Sequence, residues 1–201
     1  MPEAVNINID EAVLVEQCRR GDSAAMEHLI LKYQNRIYNV ILKMCANTDD
    51  AAELTQETFV KIIETIDRFE SKSSFYTWAF RIAVNLTINY CKRSVKLAFR
   101  SLDTDDGEQD WQAKSTLKEY LRDDRAPDPA DVAQDKELTE LIVKAMMKLD
   151  DAQRTVIVLR DIEGMNYAQI AEVLNIETGT VKSRISRARS NLREIMEAIL
   201  Q

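Results

Sequence analysis

YAQIAEVLNIETGTVKSRISRAR, residues 167–189, reads as a short helix, a three-residue turn and a longer basic helix, the arrangement of a helix-turn-helix. Asn166 and Gln169, three residues apart, carry the capping-box signature that opens the first helix. That helix is expected to bury Ile170, Ala171 and Leu174, with small Ala171 where two helices must approach closely. In the second helix Val181, Ile185, Ala188 and Leu192 recur at spacings of 4, 3 and 4 and form an inward stripe. Lys182, Ser183, Ser186 and Arg187 are left on an outward face near the N-terminal half, the half that enters the major groove in such motifs. Long cations and small hydroxyls placed there reach base edges and phosphates. No Asp or Glu occurs between Thr178 and Arg193, so the cationic run is unbroken.

Outward from this motif the chain stays helical. KELTELIVKAMMKL (136–149) is amphipathic, and Asp150 with Gln153 opens DAQRTVIVLRDIEG. Residues 95–134 differ in texture: SLDTDDGEQD and DDRAPDPAD hold two of the three prolines and no sustained apolar period, although WQAKSTLKEYL within them could form a short helix. Before them, Asp10 is expected to cap a short helix ending near Gly21. Asp22 caps the next, with Met26, Leu29, Ile30, Tyr33, Ile37, Val40, Ile41 and Met44 on one face. A third helix runs from near Thr48 to about Phe69, with Leu54, Phe59, Ile62, Ile63 and Ile66 inward. A fourth runs from Ser74 to Ser94, with Phe75, Trp78, Ile82 and Leu86 inward. No period-two stretch bounded by hairpin turns occurs. The expected fold is all-α: a helical domain at 1–94, a flexible acidic linker at 95–134 and a second helical domain at 135–201. As free coil the linker spans about 35 Å.

Composition removes most enzymatic readings. The 201 residues are 30% charged and 45% hydrophobic, as in a soluble globular protein. No apolar run approaches the ~20 residues of a membrane span, and the N-terminus lacks a signal-peptide pattern, which points to the cytoplasm. Cys18, Cys45 and Cys91 form no CxxC pair and read as small packed hydrophobes, His28 is the single histidine, and there are 4 glycines with no phosphate-cradling motif. Neither a catalytic centre, a metal nor a cofactor is expected.

The net charge of -7 is unevenly spread. A second acid-free window, Ser71 to Leu102, holds Lys72, Arg81, Lys92, Arg93, Lys96 and Arg100. Between Phe69 and Tyr90 lie 6 of the 13 aromatic residues. Phe75 and Trp78 are expected mainly to pack. Aromatics interleaved with cations also suit a single-stranded nucleic acid, which offers π-faces for stacking and phosphates for pairing. Asn85 and Asn89, poor residues for a helix interior, can read the edge of an extruded base. The preceding helix has the opposite sign: Asp49, Asp50, Glu53, Glu57, Glu64, Asp67 and Glu70 suit solvent or a protein partner, not DNA. On the residues alone, a stand-alone helix-turn-helix regulator and a pure protein-interaction module stay open as alternatives.

ELTQETFVKIIETIDRFESKSSFYTWAFRIAVNLTINYCKR, followed by LRDIEGMNYAQIAEVLNIETGTVKSRISRAR, resembles the extracytoplasmic-function group of bacterial sigma factors, which keep only regions 2 and 4. The resemblance implies a dissociable RNA polymerase subunit that recognises and opens promoters and is not an enzyme. It implies that Glu53, Gln56 and Glu57 dock on the clamp helices of the largest polymerase subunit, with region 4 on the flap of the second-largest. It further implies −10 contacts by Phe69, Lys72, Ser74, Tyr76, Arg81, Asn85, Asn89, Lys92 and Arg93, with residues 69–74 pocketing a flipped base that Asn85 helps to read. Contacts to the −35 element fall to Arg160, Thr180, Lys182, Ser183, Arg184, Ser186 and Arg187. Ser186 stands where a known relative carries an aromatic, so that relative's −35 preference does not carry over. An anti-sigma factor is implied as a further partner, and the acidic linker residues Asp103, Asp105, Asp106, Glu108 and Asp110 could lie in a basic polymerase channel.

Overall fold

The computed structural model describes residues 11–101 and 141–200. All regular structure there is helical: α1 (Glu11–Arg19), α2 (Ser23–Cys45), α3 (Thr48–Thr65), α4 (Phe75–Ser101), α5 (141–147), α6 (Asp151–Ile157), α7 (Tyr167–Leu174) and α8 (Thr178–Leu200). The expected linker and Asp10 cap lie outside the described residues, except that α4 runs on to Ser101 rather than stopping at Ser94.

Side-chain caps, at the expected Asp22 and Asp150 and also at Asn47, explain the boundaries. Asp22 accepts from the amides of Ala24 and Ala25, Asn47 from those of Asp49 and Asp50, and Asp150 from that of Gln153. Each satisfies backbone donors that the first turn leaves without partners. Asn166 and Gln169 close a reciprocal box, side chain to backbone both ways at 2.9 Å. Helix α3 ends in one turn of 3-10 helix (Ile66–Arg68), and α6 ends in a π-type turn (Val158–Ile162). Gly164, at φ 76°, then takes the left-handed conformation that lets the chain reverse into α7.

Helices α1–α4 pack as one unit and α5–α8 as another, but the two share a continuous core. Helix α7 lies against α4, and the π-type turn and α6 lie against α2. This second cover changes which residues are inside. On α4 the expected stripe is only half right: Phe75 and Trp78 are buried, whereas Ile82 and Leu86 are half-buried and Ala79, Phe80, Ala83, Val84 and Thr87 carry the core. On α3, Ile62 is buried and its neighbour Ile63 is 50% exposed, since adjacent residues on a helix point about 100° apart. On α7, Val173 is buried in place of Ala171 and Leu174, which are half-buried.

Cys18 is buried, Cys45 and Cys91 are half-buried, and all three are free thiols. Burial pushes all three thiol pKa values up, Cys45 to about 12. A thiol with that value is about 10⁻⁴ ionised at pH 8, so alkylation of Cys45, followed by peptide mapping, should run orders of magnitude slower in native protein than after denaturation. Equal rates in the two states would contradict the packing. Phe80 is fully buried, its ring 4.5 Å from that of Tyr76. Truncation of Phe80 to Ala should cost about 3–5 kcal/mol in urea unfolding.

Candidate nucleic-acid interface

Helix α4 presents one narrow polar edge. Asn85, Asn89 and Lys92 are exposed at spacings of four and three, with Arg93 beside them and Arg81 half-buried one turn before. Main-chain geometry fixes this edge, because the residues between these positions are buried or half-buried against the core. The loop that leads into α4 is anchored at both ends. Phe69 is 5% exposed, with its ring 5.1 Å from Trp78 and 6.0 Å from Phe75. At the other end the Ser74 hydroxyl accepts from the Thr77 amide at 3.1 Å and caps α4. Between these anchors Ser71 takes φ 54°, a left-handed conformation that costs a non-glycine residue on the order of 1 kcal/mol. Glu70, Ser71 and Lys72 thereby project into solvent, with Lys72 paired to Glu70.

Three expected −10 contacts are thus engaged inside the protein. Phe69 is core and offers no free face to a base. Tyr76 is half-buried, and its hydroxyl donates to Glu163 at 2.9 Å. Ser74 stays exposed but spends its hydroxyl on the cap. Tyr90, from the same aromatic cluster, is half-buried and packs against the core.

In α8 the inward stripe is as spaced: Val181, Ile185 and Ala188 are buried and Leu192 half-buried. Lys182, Ser183, Ser186 and Arg187 are exposed, while Thr180 and Arg184 are half-buried. Two contacts within the helix preset this face: the Ser183 hydroxyl donates to the Thr180 carbonyl at 3.0 Å, and Arg187 Nε donates to the Ser183 carbonyl at 3.3 Å. An open hollow of about 380 Å³ lies alongside, lined by Tyr167, Lys182, Ser186, Arg189 and Arg193 among others. Arg189 is tied to Asp161 in an ion pair. Arg160 is half-buried, donates to the Met165 carbonyl at 2.7 Å and stacks 5.0 Å from the Tyr167 ring centroid. It braces the turn into α7.

On α3, Glu53, Gln56 and Glu57 are exposed. Sequence reading missed two residues beside them: Val60 and Ile63, 54% and 50% exposed, give this acidic face an apolar centre. An apolar centre inside a polar rim is the anatomy of a protein-docking surface. The signal was available, because a stripe through Ala51, Leu54, Thr58 and Ile62 admits Ile62 and leaves Ile63 outside.

No group of three or more metal-ligating side chains, and no helix long and apolar enough to cross a membrane, occurs among the described residues. Comparison with known proteins now gives this geometry a family. Residues 29–96 match the Sigma-70 region 2 model, and residues 139–192 match the Sigma-70 region 4 model. The chain is 33% identical over 188 residues to the RNA polymerase sigma-H factor of Pseudomonas aeruginosa, covering 94% of each chain. It is 33% identical over 180 residues to the ECF RNA polymerase sigma factor SigW of Bacillus subtilis, covering 90% of this chain and 93% of that one. Its fold is similar to that of CnrH, solved in complex with the cytosolic domain of CnrY, with a TM-score of 0.64 at 23% identity over 94% of this chain and 97% of that one. With both regions matched in order and the relatives spanned nearly end to end, the chain belongs to the extracytoplasmic-function group of sigma-70 family RNA polymerase sigma factors.

Proposed function

We propose that the chain divides its work between three surfaces: α3 docks on polymerase, the α4 edge captures an unpaired −10 strand, and the α8 face reads −35 duplex. The observation that carries this is the acid-free edge of exposed Asn85, Asn89 and Lys92 with half-buried Arg81 one turn before, on a helix whose neighbouring residues are buried or half-buried. Asn85 and Asn89 offer amides to a base edge, and Lys72, Arg81, Lys92 and Arg93 hold the phosphates. Phe69 acts from beneath as the anchor of the 70–74 loop, and Tyr76 lies in the seam between the units. In α8, Lys182, Ser183, Ser186 and Arg187 face the groove, Thr180 and Arg184 flank them, and Arg160 acts as a brace rather than a free contact. The working division is 1–94, 95–134 and 135–201, with the first unit's last helix prolonged to Ser101.

Opening the duplex is driven by binding. Extruding a base costs a few kcal/mol, and a pocket that holds the flipped base offsets this. No bond is made or broken, so the chain is a binding subunit and not an enzyme, working in the cytoplasm beside polymerase. Docking on the clamp helices suits the apolar centre of Val60 and Ile63 within the acidic rim of Glu53, Gln56 and Glu57. The second unit meets the flap. CnrH was solved with CnrY, and another relative of this fold, the sigma factor RpoE of Bartonella quintana, with the anti-sigma factor NepR. An inhibitor of that kind is the expected partner in the resting cell.

With a net charge of -7, phosphate neutralisation is too weak for tight binding to free DNA. A stand-alone regulator would require the reverse, and would leave α3 and the α4 edge without a task.

Replacing Asn85 by Ala should impair open-complex formation on duplex promoter more than on a pre-melted template, scored by permanganate reactivity of unpaired thymines. Wild-type behaviour on both templates would remove Asn85 from the site. Lys182→Ala or Arg187→Ala should each weaken −35-dependent holoenzyme binding by about 1–3 kcal/mol where the side chain reads a base. A promoter titration that does not move with either change would remove that residue from the −35 face.

A further inference from the structure

The cationic line of α8 does not end with its base-facing half. Lys182, Ser186, Arg189 and Arg193 recur at spacings of 4, 3 and 4 and fall within about 40° of one another around the helix axis. With Ser190 and Tyr167 they border the open hollow beside the helix, and none of the described residues that line it is an acid. Arg189 and Arg193 lie about 10 and 16 Å beyond Lys182 along the axis. The major groove is ~8.5 Å deep. A helix that enters by its N-terminal half therefore carries these two arginines to the rim of the groove, where the phosphates run. Base readers sit at one end of the line and groups suited to the backbone at the other.

One of these two arginines already has an anion. Asp161, in the π-type turn, meets Arg189 with both carboxylate oxygens: Arg189 Nε donates to Oδ2 at 3.1 Å and Nη2 pairs with Oδ1. The two side chains are 34% and 50% exposed, and an ion pair that open to water adds little to the fold. The partners differ in freedom. The Glu163 amide donates to the Val158 carbonyl at 2.9 Å and the Met165 amide to the Leu159 carbonyl at 3.0 Å, and Arg160 is pinned to the Met165 carbonyl next door. Asp161 has a short side chain on that fixed backbone and stays in place. Arg189 has a long, rotamer-rich side chain and can swing away. A guanidinium forks onto a carboxylate and onto a phosphate with the same two-point geometry. Asp161 thus occupies the geometry that a phosphodiester would use.

We propose that the hollow receives a phosphodiester of the −35 duplex, and that Asp161 is a built-in competitor that withholds Arg189 from it. This rests on the −35 reading proposed above and adds to it a residue that sets how tightly DNA is held without touching a base. Paired, Arg189 and Asp161 are together neutral and draw no phosphate. When a phosphate takes the guanidinium, Asp161 is left beside it as a like charge, and the gain is partly cancelled. The hold of α8 on the backbone is therefore weaker by one charge than its cations alone would give. Backbone contacts carry no sequence information, whereas Lys182 and Arg187 keep their full effect on the bases. Asp161 thus lowers binding to any duplex and leaves discrimination to the base contacts.

The test is a titration of reconstituted holoenzyme on promoter duplex between about 50 and 200 mM salt. Asp161→Asn, which keeps the shape and removes the charge, should bind about two- to fivefold tighter at the lower salt. It should also steepen the slope of log K against log salt by about 0.9, the value of one further neutralised phosphate. Damage to the turn would weaken binding, so tightening separates release of a charge from a structural fault. Asp161→Ala should give the same gain and keeps the test decisive where Asn retains the Arg189 contact. Arg189→Gln added to Asp161→Asn should return affinity and slope to wild type. Neutral methylphosphonates placed singly beside the −35 element should abolish the gain at the phosphate that Arg189 takes. Wild-type affinity and slope in both Asp161 variants, or a double variant as tight as Asp161→Asn alone, would overturn the competitor. Weakening by Lys182→Ala beside unchanged Asp161 variants would overturn the competitor and support the −35 reading. Tightening by Asp161→Asn with no loss from Lys182→Ala or Arg187→Ala would support the competitor and overturn that reading.

Discussion

Helix α4 is covered along two sides, by α2 and α3 on one and by α7 on the other, and most of what the molecule presents follows from that burial. Ala79, Phe80, Ala83, Val84 and Thr87 are withdrawn from water, and what remains is a strip one residue wide per turn. Polar side chains have nowhere else to go. Asn85 and Asn89, which weaken an isolated helix, are tolerated because core packing rather than propensity holds this one together. Rigid backbone beneath an exposed amide is what recognition of a flipped base requires, since a loosely held amide would lose ordering entropy on each encounter. The Ser71–Lys72 loop obeys the same logic. It has little packing of its own and is placed by the Phe69 ring on one side and the Ser74 cap on the other.

Charge is partitioned with the same economy. On the reading proposed above, an acidic chain would gain specificity for polymerase-bound DNA, because two small cationic strips hold free duplex weakly, and its acidic α3 face would meet protein rather than DNA. The intramolecular ion pairs sharpen this division. Asp161 holds Arg189 and Glu70 holds Lys72, so some basic side chains at the edges already have partners that phosphate must displace. Among the described residues Lys182 and Arg187 form no such ion pair, so on the reading proposed above phosphate has no acid to displace there.

Much of this was legible from residue spacing. The helix-turn-helix, its capping box at Asn166 and Gln169, the Asp22 and Asp150 caps and the inward stripe of α8 all follow from local rules that one helix can satisfy by itself. The misplacements on α4 share one cause: a single-face period puts Ile82 and Leu86 inward and passes over Phe80, because a period cannot tell how many neighbours a helix will have. Helix α4 has cover on two sides, so Phe80 and Val84 move inward and Ile82 and Leu86 become border residues. Tyr76 reads as a DNA aromatic until Glu163, 87 residues later in the chain, supplies the acceptor that occupies it. No local pattern encodes a contact of that sequence separation.

The same long-range contact explains why a buried carboxylate is worth keeping at all. An apolar pair at this seam would hold the units more tightly, because it would avoid desolvating two charges. What the buried Glu163 sets is register: a shift of one unit against the other would leave its carboxylate away from water without the Arg36 and Tyr76 donors that now satisfy it.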